Sequence, residues 1–317
     1  MSCFAVSRPA LLSTTVRAVL SMAITIASSP LAAQPTSAPV DAVRAQLMAR
    51  IAQVPGAQVA IAVHDLAAGR HLSIDGDTVF HAASTMKVPV LFALFREFES
   101  GQRRADETMV LQNGFRSIVD QSPYALSPAD DSDSTVYALV GQAVPLRHLA
   151  ARMITHSSNL ATNALITRLD PQRITALARH LGATRMQVLR GVEDNVAFRA
   201  GLNNTTTAND LVALFTALQQ GRVANVSSTR DMLAILEAQA FNDEIPAGLP
   251  PGTRIAHKTG SITATLHDAG LVFPAGRAPY AIAVLTRGIP DQKTAATLIA
   301  DCSRIIWDWL ASPPPAR

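Results

Sequence analysis

The sequence predicts an α/β protein of α+β organisation, in which both ends of the chain contribute strands to one antiparallel sheet. Strand patterns occur near the start, in AQVAIAVHDLAAGRHLSI, and return near the end, in TRIAHKTGSI, DAGLVFPA and YAIAVLTRG. From Lys87 to about Ala240 most segments have helical periodicity instead. We therefore expect helices from the two chain ends to flank the sheet, and the central segments to form an all-α domain.

The predicted domains follow from this order of elements. The chain has 317 residues, 48% of them hydrophobic and 16% charged, which fits a folded enzyme of one or two domains. Residues 34–80 and 245–317 should form the sheet domain, and residues 81–244 the all-α domain. The first helix should run from about Asp41 to Ile51, and the last should be TAATLIADCSRIIWDWL.

Two central stretches interrupt the helical pattern. FRSIVDQSPYALSPADDSDSTVY is polar and acidic and contains prolines, and it predicts a long excursion over the surface. Its acidic part lacks the glycine and the distal glutamate of a calcium loop, so we expect a solvated loop there. MQVLRGVEDNVAFRAGLNNTTT has no sustained period and predicts an irregular loop.

The first residues have the pattern of a signal peptide. Arg8 and Arg17 precede an apolar run, and Leu31-Ala32-Ala33 offers small residues for cleavage after Ala33. The alternative, a first helix of the fold, is disfavoured because the run lacks an amphipathic period. Residues 1–33 thus predict a periplasmic or secreted protein, whose formal net charge falls from +3 to +1 when the two arginines leave.

Composition also limits the expected partners. A net charge near zero gives no reason to expect binding to nucleic acid or to an anionic membrane. Cleavage would remove Cys3 and leave Cys302 alone, so no disulfide can form within the mature chain. Metal-ligand spacings such as C-x-x-C or H-E-x-x-H are absent from the sequence. We expect a monomer that needs no metal and no organic cofactor.

Ser84 and Lys87 are three residues apart, in HAASTMKVPV, where a helix should begin. On a helix this spacing places both side chains on one face. A lysine with a lowered pKa can take the proton of a serine hydroxyl, and the N-terminus of a helix favours the negative charge that develops during attack on a carbonyl. The pair alone is a weak signal, because a capping serine and a solvated lysine share this pattern.

Two further motifs follow in order. Ser157 and Asn159 stand at the start of a predicted helix, in HSSNLATNAL, and Lys258, Thr259 and Gly260 stand in a predicted strand, in AHKTGSI. The set S-x-x-K, S-x-N, K-T-G resembles the penicillin-recognising serine acyltransferases, in particular the class A β-lactamases. The resemblance extends over nearly the whole mature chain and implies an active site between a sheet domain and an all-α domain.

The resemblance implies a role for each residue of the motifs. Ser84 would be the nucleophile that forms an acyl-enzyme, and Lys87 its base or proton relay. Ser157 would pass a proton to the leaving nitrogen, and Asn159 would bind the side-chain amide of the substrate. The substrate carboxylate would be bound by the next motif, namely Lys258, Thr259, Gly260 and Ser261. Backbone N–H groups of Ser84 and Ser261 would form the oxyanion hole. Helix capping remains the alternative for Ser157 and Asn159.

The resemblance also points to a base for deacylation. Class A enzymes have a glutamate 36 residues after the first serine of S-x-N, and Glu193 occupies that position. A solvated loop glutamate is the alternative. The surrounding loop departs from the usual E-x-x-L-N, because Ala197 replaces the asparagine that helps to hold the water, although Asn195 is near. The usual arginine and aspartate of the loop's neck are also not evident, since Arg190 is displaced by one residue and Asn204 is an amide. Slow deacylation is thus a second possibility.

His267 stands about where many members have an arginine for the substrate carboxylate. Protonated His267 could supply that charge; the alternative is a structural His–Asp contact in the sheet. Other histidines, His81 among them, follow no ligand pattern, so we expect structural roles for them.

Together these patterns predict a serine β-lactamase that opens the β-lactam amide of a small-molecule substrate through acyl-Ser84. Two alternatives stay open on the same scaffold. One is a D-alanyl-D-alanine carboxypeptidase or transpeptidase, favoured by Ala197. The other is an inactive sensor of β-lactams or peptidoglycan fragments, disfavoured because the nucleophile and both lysines are present.

Overall fold

The strands of the molecule are short except in the central sheet. The computed structural model describes residues 39–311. Its strands are β1 (Gln58–Asp65), β2 (His71–Ile74), β3 (Phe80–His81), β4 (Thr108–Val110), β5 (Phe115–Arg116), β6 (Pro123–Tyr124), β7 (Ala143–Pro145), β8 (Thr205–Thr206), β9 (Arg254–Ile262), β10 (Thr265–Phe273) and β11 (Tyr280–Arg287).

The helices lie mainly between β3 and β9. They are α1 (Val40–Ile51), α2 (Lys87–Glu99), α3 (Leu146–Thr155), α4 (Asn159–Arg168), α5 (Pro171–His180), α6 (Asn195–Arg199), α7 (Ala208–Gln219), α8 (Val226–Glu237) and α9 (Gln292–Ala311). Short 3₁₀ turns cover Ala83–Met86, Ser134–Leu139 and Pro246–Gly248.

One five-stranded sheet joins the two ends of the chain. Its strand order is β2-β1-β11-β10-β9, and every neighbouring pair is antiparallel. The early hairpin of β1 and β2 therefore pairs with the late strand β11, as the sequence predicts. The predicted fold class, an antiparallel sheet with terminal helices and a large helical region, is confirmed. The domain division at residues 80 and 245 stays a prediction.

The two faces of the sheet carry side chains of different size. On β1, Ile61 and Val63 face the terminal helices α1 and α9, whereas Ala60 and Ala62 belong to the core on the helical side. On β11, Ile282 and Val284 alternate with alanines in the same way. Because alanine leaves room for a close approach, α7 packs directly across β1, β10 and β11. Period-2 alternation thus places a separate core on each face.

Helix α2 is the central helix of the helical region. Every residue from Lys87 to Phe95 is buried, and α3, α4, α5 and α8 lie around it. A helix that is apolar on all sides is stable only where neighbours cover all of it. The helix therefore holds its first residue, Lys87, at a fixed place deep in the molecule.

The predicted surface excursion of residues 115–137 is only partly exposed. It contains the β5–β6 pair, and Leu126, Val136, Asp131 and Asp133 are buried. The prediction of a solvated acidic loop was wrong for the two aspartates. Their charges are buried because each carboxylate has several partners inside the protein.

The proposed signal peptide, residues 1–33, lies outside the described residues. Among residues 39–311, no helix is both long enough and apolar enough to span a bilayer.

Candidate active site

Ser84 lies in the 3₁₀ turn that leads into α2. Ala83, just before it, has a φ of +44°, which is uncommon for a residue with a Cβ. The Ala83 N–H donates to Nδ1 of His81 at 3.0 Å, and the Thr85 hydroxyl donates to the Ala82 carbonyl at 2.6 Å. Side chains on both sides of the strained residue therefore fix the turn, and with it the position of Ser84.

Strand β9 packs directly on this turn. A Cβ built on Gly260 would lie 3.0 Å from the backbone nitrogen of Ser84 and 3.1 Å from that of Thr85. Such contacts are tighter than most side chains make, so a larger residue at this position would push the strand and the turn apart by a few tenths of an ångström. The close approach places the backbone of β9 beside the N–H of Ser84, where the resemblance implies an oxyanion hole.

Lys87 is fully buried and faces the S-x-N segment. Its Nζ donates to the Ser157 carbonyl at 2.6 Å, to Ser157 Oγ at 3.1 Å and to Asn159 Oδ1 at 2.9 Å. Within residues 39–311 these are all the hydrogen bonds of the amine, so none joins it to Ser84. The amine is directed instead to the Ser157–Asn159 segment.

Asn159 connects Lys87 to Glu193. Its Oδ1 accepts from Lys87, and its Nδ2 donates to Glu193 Oε1 at 2.6 Å. Ser157 and Glu193 both have a positive φ, of 57° and 61°. Non-glycine residues keep such conformations only where the surrounding contacts enforce them, and these residues are often functional. The amine and the carboxylate are thus held on either side of one amide.

Burial lowers the pKa values of both lysines of the site. It lowers the pKa of Lys87 well below its usual range, the nearby Lys258 lowers it further, and Asp131 and Glu193 oppose both effects. Burial also lowers the pKa of Lys258 to about 7, against the attraction of Asp268 and Glu244. A lysine with so low a pKa can hold a neutral amine near neutral pH, and such an amine is a base.

The pKa of Glu193 is shifted in the other direction. Burial raises it, and the hydrogen bond from Asn159 and the charge of Lys87 lower it in part, while Asp131 and Asp130 raise it further. A carboxylate with a raised pKa is a stronger base than an ordinary glutamate, as activation of water requires.

A cleft of about 470 Å³ brings several site residues together. Ser84, Asn159, Glu193 and Ser261 all line it, and so does the exposed Asn195. Lys87 and Lys258 lie buried behind its wall. A cavity of about 700 Å³ near Pro250 and Trp307 contains none of the predicted site residues. The candidate site is therefore identified by the residues that line the cleft and not by the volume of the cavity.

Lys258 and Thr259 stand on β9 beside the cleft. The amine donates to the Thr259 carbonyl at 2.9 Å and approaches Thr259 Oγ1 at 3.5 Å. Next along the strand, Ser261 is exposed, with its hydroxyl 3.4 Å from Gln292 Oε1.

His267 does not line the cleft. It is fully buried on β10, with Nε2 donating to the His81 carbonyl at 2.9 Å and Nδ1 3.2 Å from the Thr286 N–H. Burial lowers its pKa to about 4. A neutral, buried ring cannot bind a substrate carboxylate, so that role for His267 is wrong. The structural His–Asp contact does exist, but His257 makes it with Asp268, at 2.9 Å.

We expect His267 to make stability depend on pH. Its pKa is about 4 in the folded state and 6.5 ordinarily, so its contribution is complete above pH 6.5 and is lost as the pH falls towards 4. The shift corresponds to about 3 kcal/mol of unfolding free energy. Urea unfolding at pH 7 and pH 4.5 measures this, and the loss on acidification should be smaller in His267→Gln. An equal loss in His267→Gln and in the exposed control His180→Gln would contradict the assignment.

The neck of the Glu193 loop is closed by an amide. Asn204 Oδ1 accepts from the N–H groups of Leu189 at 2.8 Å and Arg190 at 3.2 Å, and its Nδ2 donates to the Arg190 carbonyl at 3.0 Å. The Arg190 guanidinium donates to the Leu202 carbonyl and to Asn203 Oδ1. Hydrogen bonds of Asn204 and Arg190 to the backbone and to Asn203 thus close the neck, where the family usually has an arginine–aspartate ion pair.

Asn204→Ala should destabilise the fold. It would leave two backbone N–H groups and one carbonyl without their partner in a buried neck, at a cost of about 2 kcal/mol or more. Asn203→Ala is the matched control, because Asn203 accepts only one bond from Arg190, and its loss should be under about 1 kcal/mol. Urea unfolding of both variants tests this; equal losses would argue against a special role for Asn204.

Two residues near the site were missed from the sequence. Asp131 accepts from the N–H groups of Asn159 and Leu160, and His81 accepts from Ala83 next to the nucleophile. The only available signal for Asp131 was the presence of Leu126 and Val136 around the acidic stretch, because apolar residues on both sides favour a packed segment. No comparable pattern surrounds His81.

The comparison with known proteins decides the family. The chain matches the model of the Beta-lactamase enzyme family over residues 42–310. It belongs to that β-lactamase family. The predicted resemblance is thereby confirmed.

Individual relatives of this β-lactamase family member cover most of its length. Beta-lactamase AST-1 of Nocardia asteroides is 30% identical over 267 residues, which cover 83% of this chain and 82% of that protein. Among solved structures, PBP-A has a TM-score of 0.74 and 26% identity and covers 88% of this chain and 99% of its own. A β-lactamase from Sphaerobacter thermophilus has a TM-score of 0.71 and 25% identity, with coverage of 87% and 99%. A mutant of PBP-A has been solved as an acyl-enzyme complex with penicillin G.

Proposed function

We propose that the protein is a serine β-lactamase that hydrolyses the β-lactam amide through an acyl-Ser84 intermediate. The observation that carries this proposal is the Lys87–Asn159–Glu193 series of hydrogen bonds, at 2.9 and 2.6 Å. In this series Lys87 would be the base for Ser84, and Glu193 would be the base for water. Acylation needs the first of these bases and turnover needs the second.

In the acylation step, the Ser84 hydroxyl oxygen attacks the carbonyl carbon of the lactam. Its proton passes to the neutral amine of Lys87, and the oxyanion accepts hydrogen bonds from the backbone N–H groups of Ser84 and Ser261. The C–N bond then breaks, and the nitrogen receives a proton through the Ser157 hydroxyl. The 3.1 Å contact between Lys87 Nζ and Ser157 Oγ supports that path for the proton.

Substrate would be held by groups on both walls of the cleft. Lys258, Thr259 and Ser261 would bind the carboxylate, with Gly260 allowing the close approach of the strand. The Asn159 amide would bind the side-chain amide of the substrate. An anion beside Lys258 would favour its ammonium form, so substrate binding itself would restore the charge that burial weakens.

In the deacylation step, Glu193 would take a proton from a water molecule that attacks the ester carbon. The ester C–O bond then breaks, and the proton returns to the oxygen of Ser84. The buried methyl group of Ala197 offers no hydrogen bond to this water. Asn195, which lines the same cleft, offers an amide that could assist.

Export and assembly complete the proposal. The signal-peptide pattern of residues 1–33 would direct the protein to the periplasm or out of the cell. We propose a monomer that acts without a metal or an organic cofactor.

A peptidase of cell-wall peptides on the same scaffold is the second candidate. Ala197 favours it, since weak water binding slows deacylation. The similarity to PBP-A also fits this possibility, because a mutant of that protein holds penicillin G as an acyl-enzyme.

Steady-state hydrolysis of a chromogenic cephalosporin separates the two functions. A β-lactamase gives many turnovers per enzyme at a constant rate. A peptidase gives a burst of about one product per enzyme and then stalls. Sustained turnover would exclude the peptidase, a burst alone would exclude the β-lactamase, and the absence of both burst and turnover would exclude both in favour of a sensor.

A further inference from the structure

The carboxylate of Asp131 caps the helix that carries the S-x-N motif. Its Oδ1 and Oδ2 each lie 3.0 Å from the N–H of Asn159, and Oδ2 accepts from the N–H of Leu160 at 2.9 Å. The Asp133 N–H and the Tyr137 hydroxyl also donate to it, at 3.0 and 3.1 Å. Asp131 is only 8% exposed, so these partners replace most of its water.

The cap completes the hydrogen bonding at the start of α4. A helix leaves its first four N–H groups without partners in the helix. Here the Ser158 N–H donates to the Arg152 carbonyl at 3.2 Å, Asp131 accepts from Asn159 and Leu160, and the Ser158 hydroxyl accepts from Ala161 at 3.2 Å. Ser158, inside the motif, therefore caps one N–H group. Asp131, which lies 28 residues before Asn159, caps two.

The cap acts on the residue that joins the two bases. Asn159 is the first residue of α4, and its side chain bonds to Lys87 and to Glu193. The residue two places before it, Ser157, is held at a φ of 57°, and Ser157 provides two of the three acceptors of Lys87. If the helix start moved, the amide and both acceptors would move together.

We propose that Asp131 is a positioning residue, which holds the Ser157–Asn159 turn so that Asn159 reaches the Lys87 amine and the Glu193 carboxylate at once. This inference rests on the proposed function, because it assigns Asp131 to the same reaction. It differs from a purely structural role, since the cap bonds directly to the backbone of a site residue. Asp133, two residues away, bonds instead to Arg152, at 2.6 Å.

The charge of Asp131 supports this role. It raises the pKa of Lys87, which the charge of Glu193 also raises and burial and Lys258 lower. Removal of the Asp131 charge, and loss of the acceptors that stabilise the ammonium form, would therefore both lower the pKa of Lys87. Because the lost charge alone would lower that pKa, a change in the acylation rate is needed as well to show that the turn has moved.

The small number of lysines allows the pKa of Lys87 to be measured directly. The sequence has three lysines, Lys87, Lys258 and the exposed Lys293. Protein labelled with carbon-13 at lysine Cε therefore gives three signals in an NMR titration, and the exposed lysine serves as an internal reference. This readout needs no substrate, so it tests the effect of Asp131 on Lys87 even if the proposed reaction is wrong.

Asp131→Asn should lower the pKa of Lys87 relative to the wild type. It should also slow acylation by a fluorescent penicillin by about 100-fold, the size expected when a reacting group is displaced by about 1 Å. Asp133→Asn is the matched control. It removes the same charge from the same loop and breaks the Arg152 pair, so it should lower the melting temperature but keep the Lys87 titration and acylate within about 3-fold of the wild type.

Two results would overturn the proposal: an Asp131→Asn protein with the Lys87 titration and acylation of the wild type, or equal effects in the Asp133→Asn protein. If Asp131→Asn does not fold, Asp131→Glu decides, since it keeps the charge but moves the carboxylate. Acylation at the wild-type rate in Asp131→Glu would also reject the proposal, whereas a large loss would support it.

Discussion

Ser84→Ala is expected to abolish hydrolysis and covalent labelling together. Without the hydroxyl no acyl-enzyme can form, so turnover of a chromogenic cephalosporin should fall by about 10⁴-fold or more. Lys87, Asn159 and Glu193 keep their mutual hydrogen bonds, because none of these bonds involves Ser84. The melting temperature should therefore stay close to that of the wild type, and intact-protein mass spectrometry should find no adduct.

Ser100→Ala provides the control for this variant. Ser100 follows the same helix at its other end, and its exposed hydroxyl bonds only to the Glu97 carbonyl. This variant should keep turnover and labelling. Hydrolysis by Ser84→Ala at the rate of the wild type would exclude Ser84 as the nucleophile and point to chemistry elsewhere in the cleft.

Glu193→Gln is expected to separate the two halves of the reaction. The nucleophile and Lys87 remain, so acylation should stay within about 10-fold of the wild type. Loss of the base that activates water should slow deacylation by about 10²- to 10⁴-fold. The variant should therefore accumulate as the acyl-enzyme, and a mass increase equal to the whole β-lactam should persist on the protein.

Glu237→Gln is a suitable control, because Glu237 pairs with Arg254 at the surface, at 2.6 Å. It should turn over like the wild type. A Glu193→Gln enzyme with unchanged turnover would reject the loop assignment, and Asn195 or another group would then have to hold the water. Loss of acylation as well would indicate that Glu193 also serves the first step.

The motifs predicted the cleft because they are local and ordered. Ser84 and Lys87 are near each other because of helical spacing, and Lys258 to Ser261 are near each other because they lie on one strand. The sequence left open only how these segments contact one another. Alternation of Ile61 with Ala60 and Ala62 predicted the strand that joins both chain ends. What the residues could not predict is the contact between β9 and the nucleophile turn, although a glycine at position 260 suits such a close approach.

The errors share a physical cause, which is that burial depends on distant segments. His267 is polar and stands near the family's arginine position, but β3 covers it through the His81 carbonyl. Asp131 lies in an acidic stretch, yet N–H groups 28 residues away satisfy its charge. No local pattern distinguishes such groups from solvated ones.

The most direct test of the account is the location of the covalent bond. Glu193→Gln treated with benzylpenicillin and digested with trypsin should carry the adduct on the peptide His71–Lys87, with fragment ions that assign it to Ser84. An adduct on any other peptide, or none at all on a folded protein, would contradict the claim that Ser84 is the nucleophile of a serine β-lactamase.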